Sequence, residues 1–287
     1  MRKYYFLLLI GCFLIFNNNL YSQWTKESGK GYYKLSAWYL EADEHYTSSG
    51  QIDPNATRGQ FNINLYGEYG LNDRWDLVGY IPFFSRTYQN DILSRTTNEI
   101  IIPGEEVNSI GDIDLGLTYG LLQKENLAIS VTLMLGIPSG DDAGGSDGSY
   151  QTGDGEFNQL LKVAAGVPFK ITNTPLYVKA YVGYNNRTQN FSDELRGGAE
   201  LGIQLFNSLW LASKLNIVES LQNGSLSAQN NQGSIFANNV EFTNFEVEAA
   251  YYITKKFGLS VNYATALSGR IIYAAPSYSG GIFMDIQ

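Results

Sequence analysis

Residues 110–137 read IGDIDLGLTYGLLQKENLAISVTLMLGI, and apolar residues alternate with small or polar ones through most of this segment. In its first half, large apolar residues occupy every second position from Ile113 to Leu121, and Asp, Gly and Thr stand between them. Its second half repeats the pattern from Leu127 to Ile137, where small and hydroxylated residues predominate at the alternate positions. Because successive side chains of a strand point to opposite faces, the stretch predicts two amphipathic strands joined by a short polar turn.

The length of these two strands points to a membrane. Each is about eleven residues long, whereas a strand of a soluble protein usually has about five or six and a tilted strand crosses a bilayer with about nine to eleven. A soluble sheet could show the same alternation with its apolar face turned inward. The repetition of the pattern along the chain must therefore decide between the two.

The alternation recurs along the whole chain and predicts about twelve strands. They lie near residues 31–41, 60–69, 75–86, 110–121, 127–137, 157–168, 176–186, 199–205, 209–217, 245–253, 257–263 and 278–286. Short turns are predicted near residues 72, 124, 172, 207 and 255, and long loops at 42–58, 87–109, 138–156 and 221–239 and near 190 and 272. An even strand number with short turns at one rim and long loops at the other is typical of bacterial outer-membrane barrels, and a soluble sandwich has no reason to segregate loop lengths in this way.

The predicted fold is all-β: a closed antiparallel transmembrane barrel of about twelve strands, with short periplasmic turns and long extracellular loops. Closure is expected because an unpaired strand edge in hydrocarbon leaves backbone N–H and C=O groups unsatisfied. Aromatic residues near strand ends, Trp75, Trp210, Tyr251 and Tyr263, are expected at the two membrane interfaces.

Composition narrows the function classes. The chain has 28 acidic and 19 basic residues and a formal net charge of −9. This balance argues against a nucleic-acid partner, which requires clustered Lys and Arg. Beyond the N-terminal segment there is no apolar run of the length that a transmembrane helix needs.

Residues 1–22 resemble a secretory signal peptide. Arg2 and Lys3 are followed by an apolar run to residue 16 and by a plausible cleavage site before Gln23, so we expect one mature barrel domain over residues 23–287. Cys12 allows a lipoprotein alternative, but the apolar run continues past it. A mature chain without cysteine excludes disulfides and thiolate chemistry.

Charged residues recur on the predicted inner face of the barrel. The candidates for lining the lumen are Glu68, Asp76, Arg86, Asp112, Asp114, Lys179, Glu200, Glu246 and Glu248, with Lys34 and Lys162 as further members. They predict either a charged lumen that guides a solute or a salt-bridged filling of a narrow interior. Barrels of about eight strands are filled and those of sixteen are open, so about twelve strands leaves both interpretations open.

Two further features of the sequence are candidates for functional sites. His45 is the sole histidine and would be the base of an outer-membrane hydrolase, but the residues near it form no Ser–His pattern. The segment SGDDAGGSDGSYQTGDGE at residues 139–156 is rich in carboxylates, but its spacing fits no calcium-binding motif and it lacks a phosphate-binding GK[ST] ending. We expect no catalytic residue, metal or cofactor.

Several segments resemble a bacterial outer-membrane family. They are YGLNDRWDL at residues 69–77, GDIDLG at 111–116, YGLL at 119–122, GIPSGD at 136–141 and GDGEF at 153–157. They look like the family named for the MetA pathway of phenol degradation, which is grouped with transporters. Ser139 stands where that family more often has Thr, and the chain ends in Gln287 where an aromatic residue is common. The resemblance implies uptake of small molecules, aromatic or hydrophobic ones among them, and it assigns no binding residue.

The sequence as a whole predicts a Gram-negative outer-membrane channel rather than an enzyme. Its expected partners are a small-molecule solute and membrane lipid, and the oligomeric state is left open. Lumen charges would select solutes through their field and through hydrogen bonds. The alternative is a barrel that conducts nothing and binds a ligand or a surface partner with its external loops.

Overall fold

The computed structural model describes residues 25–94, 96–227 and 233–286, and these form one closed antiparallel barrel. The expected signal peptide, Cys12 and the cleavage site lie outside the described residues. The strands are β1 Gly31–Tyr46, β2 Ile52–Asn72, β3 Trp75–Gln89, β4 Ile92–Leu93, β5 Ile100–Ile102, β6 Glu105–Ser109, β7 Ile113–Lys124, β8 Leu127–Ile137, β9 Asn158–Ile171, β10 Thr174–Asn186, β11 Glu194–Leu205, β12 Leu209–Ser220, β13 Glu241–Tyr252, β14 Phe257–Arg270 and β15 Ser277–Ile286.

Twelve strand positions make up the barrel, as predicted. β6 and β7 share one position in the barrel. β6 pairs with the C-terminal part of β3, and β7 pairs with its N-terminal part. The remaining pairs follow chain order, and β1 closes the sheet on β15 from Gly31 opposite Ile286 to Leu40 opposite Ser277. β4 and β5 form a separate small hairpin in the loop after β3.

The two rims differ as predicted, although the strands are longer than predicted at one of them. We call the rim with the connections at residues 73–74, 125–126, 172–173, 206–208 and 253–256 the turn rim, and the opposite one the loop rim. The predicted loop 42–58 is mostly strand, since β1 runs to Tyr46 and β2 starts at Ile52. Apolar–polar alternation stops where both strand faces meet water, so the part of a strand that projects beyond the bilayer carries no such signal.

The outer face is an apolar belt. Alternate aliphatic residues are left uncovered by the protein, up to Val182 with 67% of its surface exposed. Trp75 and Tyr119 pair on this face with ring centroids 4.8 Å apart, which suits an interfacial position. The prediction for Trp210 is wrong: it lies on the inner face against Tyr177, with ring centroids 5.5 Å apart. No helix within residues 25–94, 96–227 and 233–286 is long and apolar enough to cross a membrane.

Candidate functional site: the barrel lumen

The strand register shows where the candidate lumen residues stand. The side chains on the inner face of the strands are those of Glu68, Asp76, Asp114, Lys179, Glu200, Glu246 and Glu248, together with Lys34 and Lys162. Asp112 lies in the linker between β6 and β7 at the loop rim and is turned toward the segment 138–157. Arg86 lies elsewhere.

Arg86 is on the outer face, so its prediction as a lumen residue is wrong. It stands opposite Phe61 in the ladder with β2, its guanidinium binds Glu106, and it lies 4.9 Å from the ring centre of Tyr88. The cause is a bulge in the β2–β3 ladder, where two residues of β3 face one of β2 and the side-chain parity reverses. Even positions of β3 point inward before the bulge and outward after it, and the bulge cannot be read from the alternation alone.

A ribbon of alternating charge follows the inner wall across four consecutive strands. Lys179, Glu200, Lys214 and Glu246 stand directly opposite one another from β10 to β13. The Lys179 ammonium lies 2.6 Å from Glu200, and the Lys214 ammonium lies 2.7 Å from Glu246. Opposite charges at directly facing positions stabilise a sheet, and the four charges of this ribbon also balance one another.

A second set of ion pairs extends this ribbon to β1. The carboxylate of Glu248 lies 2.7 Å from the ammonium of Lys214 and 2.8 Å from that of Lys34. All three side chains are half-buried. Removing one member would leave an uncompensated charge in a region of low dielectric.

Aromatic rings lie flat along the inner wall near the turn rim. The ring of Tyr177 covers Gly202 so closely that a Cβ there would lie 2.2 Å from it, and Phe283 covers Gly258 in the same way. Glycine is needed at both places because any side chain would push the ring toward the barrel axis. The hydroxyl of Tyr177 also donates to Glu200, which ties the ring to the charge ribbon.

The N-terminal described residues lie against the inner wall at the turn rim. The backbone N–H of Lys26 donates to both carboxylate oxygens of the buried Asp76, at 2.9 and 2.8 Å. Its ammonium lies 3.7 Å from Glu68, and Gln123 donates to Thr25 from the neighbouring wall. The role of Asp76 visible in the structure is therefore to hold this segment.

Two external loops fold into the barrel mouth, which sequence reasoning did not resolve. The segment 138–157 is held by inner-face side chains: Thr87 donates to the carbonyl of Gln151 at 2.6 Å, and Arg58 donates to Ser149 at 3.2 Å. From the segment 221–240, Ala237 and Val240 pack against Ile271 and Ile272 in a small buried apolar cluster.

A buried ion cluster fastens the segment 138–157 to the wall. The guanidinium of Arg187 lies 3.1 Å from Asp154, 2.8 Å from Glu156 and 2.9 Å from Glu194. The segment supplies two of these carboxylates and β11 supplies the third, and the ring of Phe191 covers the guanidinium at 4.4 Å. The GDGEF motif contains two of the carboxylates of this cluster, but nothing in the motif predicts that their partner is Arg187.

Asp112 forms a second attachment of the same segment. Its carboxylate accepts the backbone N–H of Gly140 at 2.9 Å and that of Asp154 at 2.7 Å. Burial raises the pKa of Asp112 from its ordinary value of 3.8 to about 7, and the neighbouring Asp154 acts in the same direction. The two backbone N–H donors oppose this rise.

Three adjoining cavities occupy the lumen beneath the loops. Their volumes are about 280, 340 and 560 Å³, and the side chain of Ile235 lines all of them. Ile235 is apolar and 39% exposed, so it presents a water-facing apolar tip in the middle of the lumen. The cavities also contact inner-face charges, among them Asp114 and Arg196 in one and Lys34 and Glu248 in another.

The two other sites considered from the sequence remain without support. His45 is buried beside Tyr273, and its Nδ1 has no hydrogen-bond partner in the described part of the chain. Within that same part, no group of three His, Cys, Asp or Glu side chains is arranged to hold a metal ion.

No family model and no curated protein sequence matches this chain. Its fold is similar to that of the COG4313 outer membrane channel from Pseudomonas putida F1, with a TM-score of 0.59 and 15% identity over 94% of this chain and 100% of that chain. More distant similarities are to the KdgM porin in complex with disordered oligogalacturonate (TM-score 0.47, 8% identity, 89% and 99% covered) and to the NanC porin (0.45, 7%, 88% and 99%). The apolar belt, the closed sheet and the first of these likenesses together make the chain a twelve-stranded β-barrel of the outer membrane.

Proposed function

We propose that this barrel is a channel for passive uptake of small molecules, aromatic or hydrophobic ones among them. The observation that carries the proposal is the group of adjoining cavities in the lumen, which are lined from many strands of the wall and share Ile235. The sequence resemblance to the MetA-related outer-membrane family is in keeping with uptake of this kind.

The inner wall suits permeation rather than chemistry. In the ribbon from β10 to β13 and its extension to β1, the lysines and carboxylates are paired with each other at 2.6 to 2.8 Å, so a solute that passes it meets alternating charge. The rings of Tyr177 and Phe283 lie against glycines of the wall, and this leaves the space near the barrel axis free. We propose that solutes contact Glu68, Asp114, Lys179, Glu200, Glu246 and Glu248, whereas Asp76 and Asp112 hold the N-terminal segment and the segment 138–157.

One observation favours the alternative, a barrel that conducts nothing and binds a ligand at its mouth. The segments 138–157 and 233–240 both enter the mouth, and the first is fastened by Arg187. In the channel proposal these segments narrow the entrance and set the size limit. In the alternative they are themselves the binding surface.

Reconstitution separates the two functions. Purified protein is incorporated into planar bilayers and into liposomes, and ion conductance and swelling in small uncharged solutes are measured, with heat-unfolded protein as the control. The channel proposal expects stable single-channel steps and solute entry. Folded protein that gives neither current nor swelling would remove it and leave the alternative.

A further inference from the structure

The smallest of the three cavities has an unusual lining. Its walls are Ser36, Trp38, Asn62, Asn64, Tyr80, Ile235 and Ser279, so it contacts an indole, a phenol, amides and hydroxyls and no ionised side chain of the described residues. It lies in the middle of the barrel, where β1 is flanked by β2 and β15.

Several of these polar groups have no hydrogen-bond partner among the residues that the structure describes. Ser36 donates to Asn64 at 2.7 Å, which satisfies that pair. The side chains of Trp38, Asn62 and Tyr80 make no hydrogen bond to any residue that the structure describes, and they line the cavity from three adjacent strands. Polar groups inside a protein are normally satisfied, so free donors and acceptors that converge on one space are suited to a solute or to water.

The ionised groups that line the neighbouring, larger cavity compensate one another. On one side Lys34 is paired with Glu248 at 2.8 Å. On the other, the Arg196 guanidinium lies 2.6 Å from Glu194. A charged solute in the smallest cavity would lose water without gaining a counter-ion in contact, and this disfavours it.

We propose that this cavity is a binding station for small uncharged ring compounds that carry several hydroxyl groups, of the size of a monosaccharide or a cyclitol. Such a ring has an apolar face for the indole of Trp38 and hydroxyls at its edge for Asn62 and Tyr80. A ring without hydroxyls would leave these groups unpaired. The inference deepens the channel function and rests on it for its biological role, although the station itself can bind without conduction.

Equilibrium dialysis tests the station directly. Full-length protein in detergent is dialysed against radiolabelled myo-inositol, with glucuronate and glucosamine as charged competitors. We expect myo-inositol to bind and the charged compounds to compete poorly. Asn62→Ala and Tyr80→Phe should each weaken binding about fivefold, the value of one lost hydrogen bond.

Asn216→Ala is the matched control. Asn216 is also an inner-face amide, but it already accepts from Tyr181 at 3.0 Å and donates to Asn244 at 3.2 Å. This variant should bind as the wild type does. Tyr80→Phe removes one oxygen atom only, so it keeps the test valid if Asn62→Ala folds poorly.

The outcomes distinguish the two proposals. No binding of myo-inositol to folded wild-type protein, equal competition by the charged compounds, or unchanged binding in both station variants would overturn the station. Binding without conductance in bilayers would uphold the station and remove the channel. Conductance without binding would uphold the channel and overturn the station.

Discussion

Arg187 donates from Nε to Oε1 of Glu156 at 2.8 Å, and the two side chains are 4% and 0% exposed. This contact joins the wall near β10 to the segment 138–157. A second carboxylate of the segment, on Asp154, and Glu194 on β11 complete the arrangement. The mouth is thus narrowed by a loop that a buried cation holds together with the contacts of Asp112, Thr87 and Arg58.

Arg187→Gln should release the segment 138–157 from the mouth. Three buried carboxylates would lose their cation, and breaking a buried ion pair costs about 3–5 kcal/mol. We expect faster amide hydrogen exchange in this segment, with the barrel strands still protected, and a higher single-channel conductance. Arg270→Gln is the control, because its pair with Glu241 at 3.1 Å is partly exposed and worth at most about 1 kcal/mol. Equal loop protection in the two variants would show that Arg187 does not hold the loop.

Ile235→Gly should widen the lumen. Ile235 lines all three cavities, so removing its side chain would join them and take away an apolar barrier to water and solute. In liposome swelling, the variant should then admit larger uncharged solutes than the wild type does. Leu221→Gly is the matched control: Leu221 begins the same loop and is similarly exposed, 42% against 39%, but lines none of these cavities. An unchanged size limit in Ile235→Gly would mean that the narrowest point lies elsewhere.

The number of strands, their pairing and their outer face were predictable. A strand that crosses the bilayer must carry an apolar residue at every second position, over a length that the bilayer thickness sets. Residues 110–137 show both properties, and β7 and β8 match the predicted pair closely. The face on which Arg86 lies was not predictable. A single bulge in the β2–β3 ladder moves its side chain to the outer face, and the bulge cannot be recognised in the apolar pattern of the sequence. Trp210 was misplaced for a related reason: its nearness to a strand end says nothing about which face it occupies.

The inward loops and the candidate binding station also lay beyond sequence reasoning. The segment 138–157 has no period, and its position depends on contacts with Arg187 and Thr87, which are distant in sequence. The lumen carboxylates could be selected because they interrupt apolar strands. The alternation places Trp38 on the face of Lys34 and Ser36, but nothing in the pattern marks it as a residue that binds a solute.

Glu248→Gln should shift the ion selectivity of the channel toward anions. Glu248 neutralises Lys34 at 2.8 Å and shares Lys214 with Glu246, so its loss leaves two lysines with one carboxylate in this group and makes the inner wall less negative by one charge. The reversal potential in a KCl gradient measures this shift at neutral pH. Glu106→Gln is the control, because Glu106 pairs with Arg86 on the outer face. An identical reversal potential in Glu248→Gln and the wild type would place the current path away from this ion pair.

The attachment of the segment 138–157 should weaken as pH rises from about 4 to about 7. The folded protein raises the pKa of Asp112 from 3.8 to about 7, so in this interval the folded state binds more protons than the unfolded one. The stability contributed by this group is therefore fully present below about pH 4 and is lost as pH rises through about 7. Hydrogen exchange at the amides of Gly140 and Asp154, corrected for the intrinsic pH dependence of exchange, should become faster across this interval. Asp112→Asn keeps an acceptor but cannot ionise and should abolish this dependence, whereas a dependence that persists in the variant would have to come from another group.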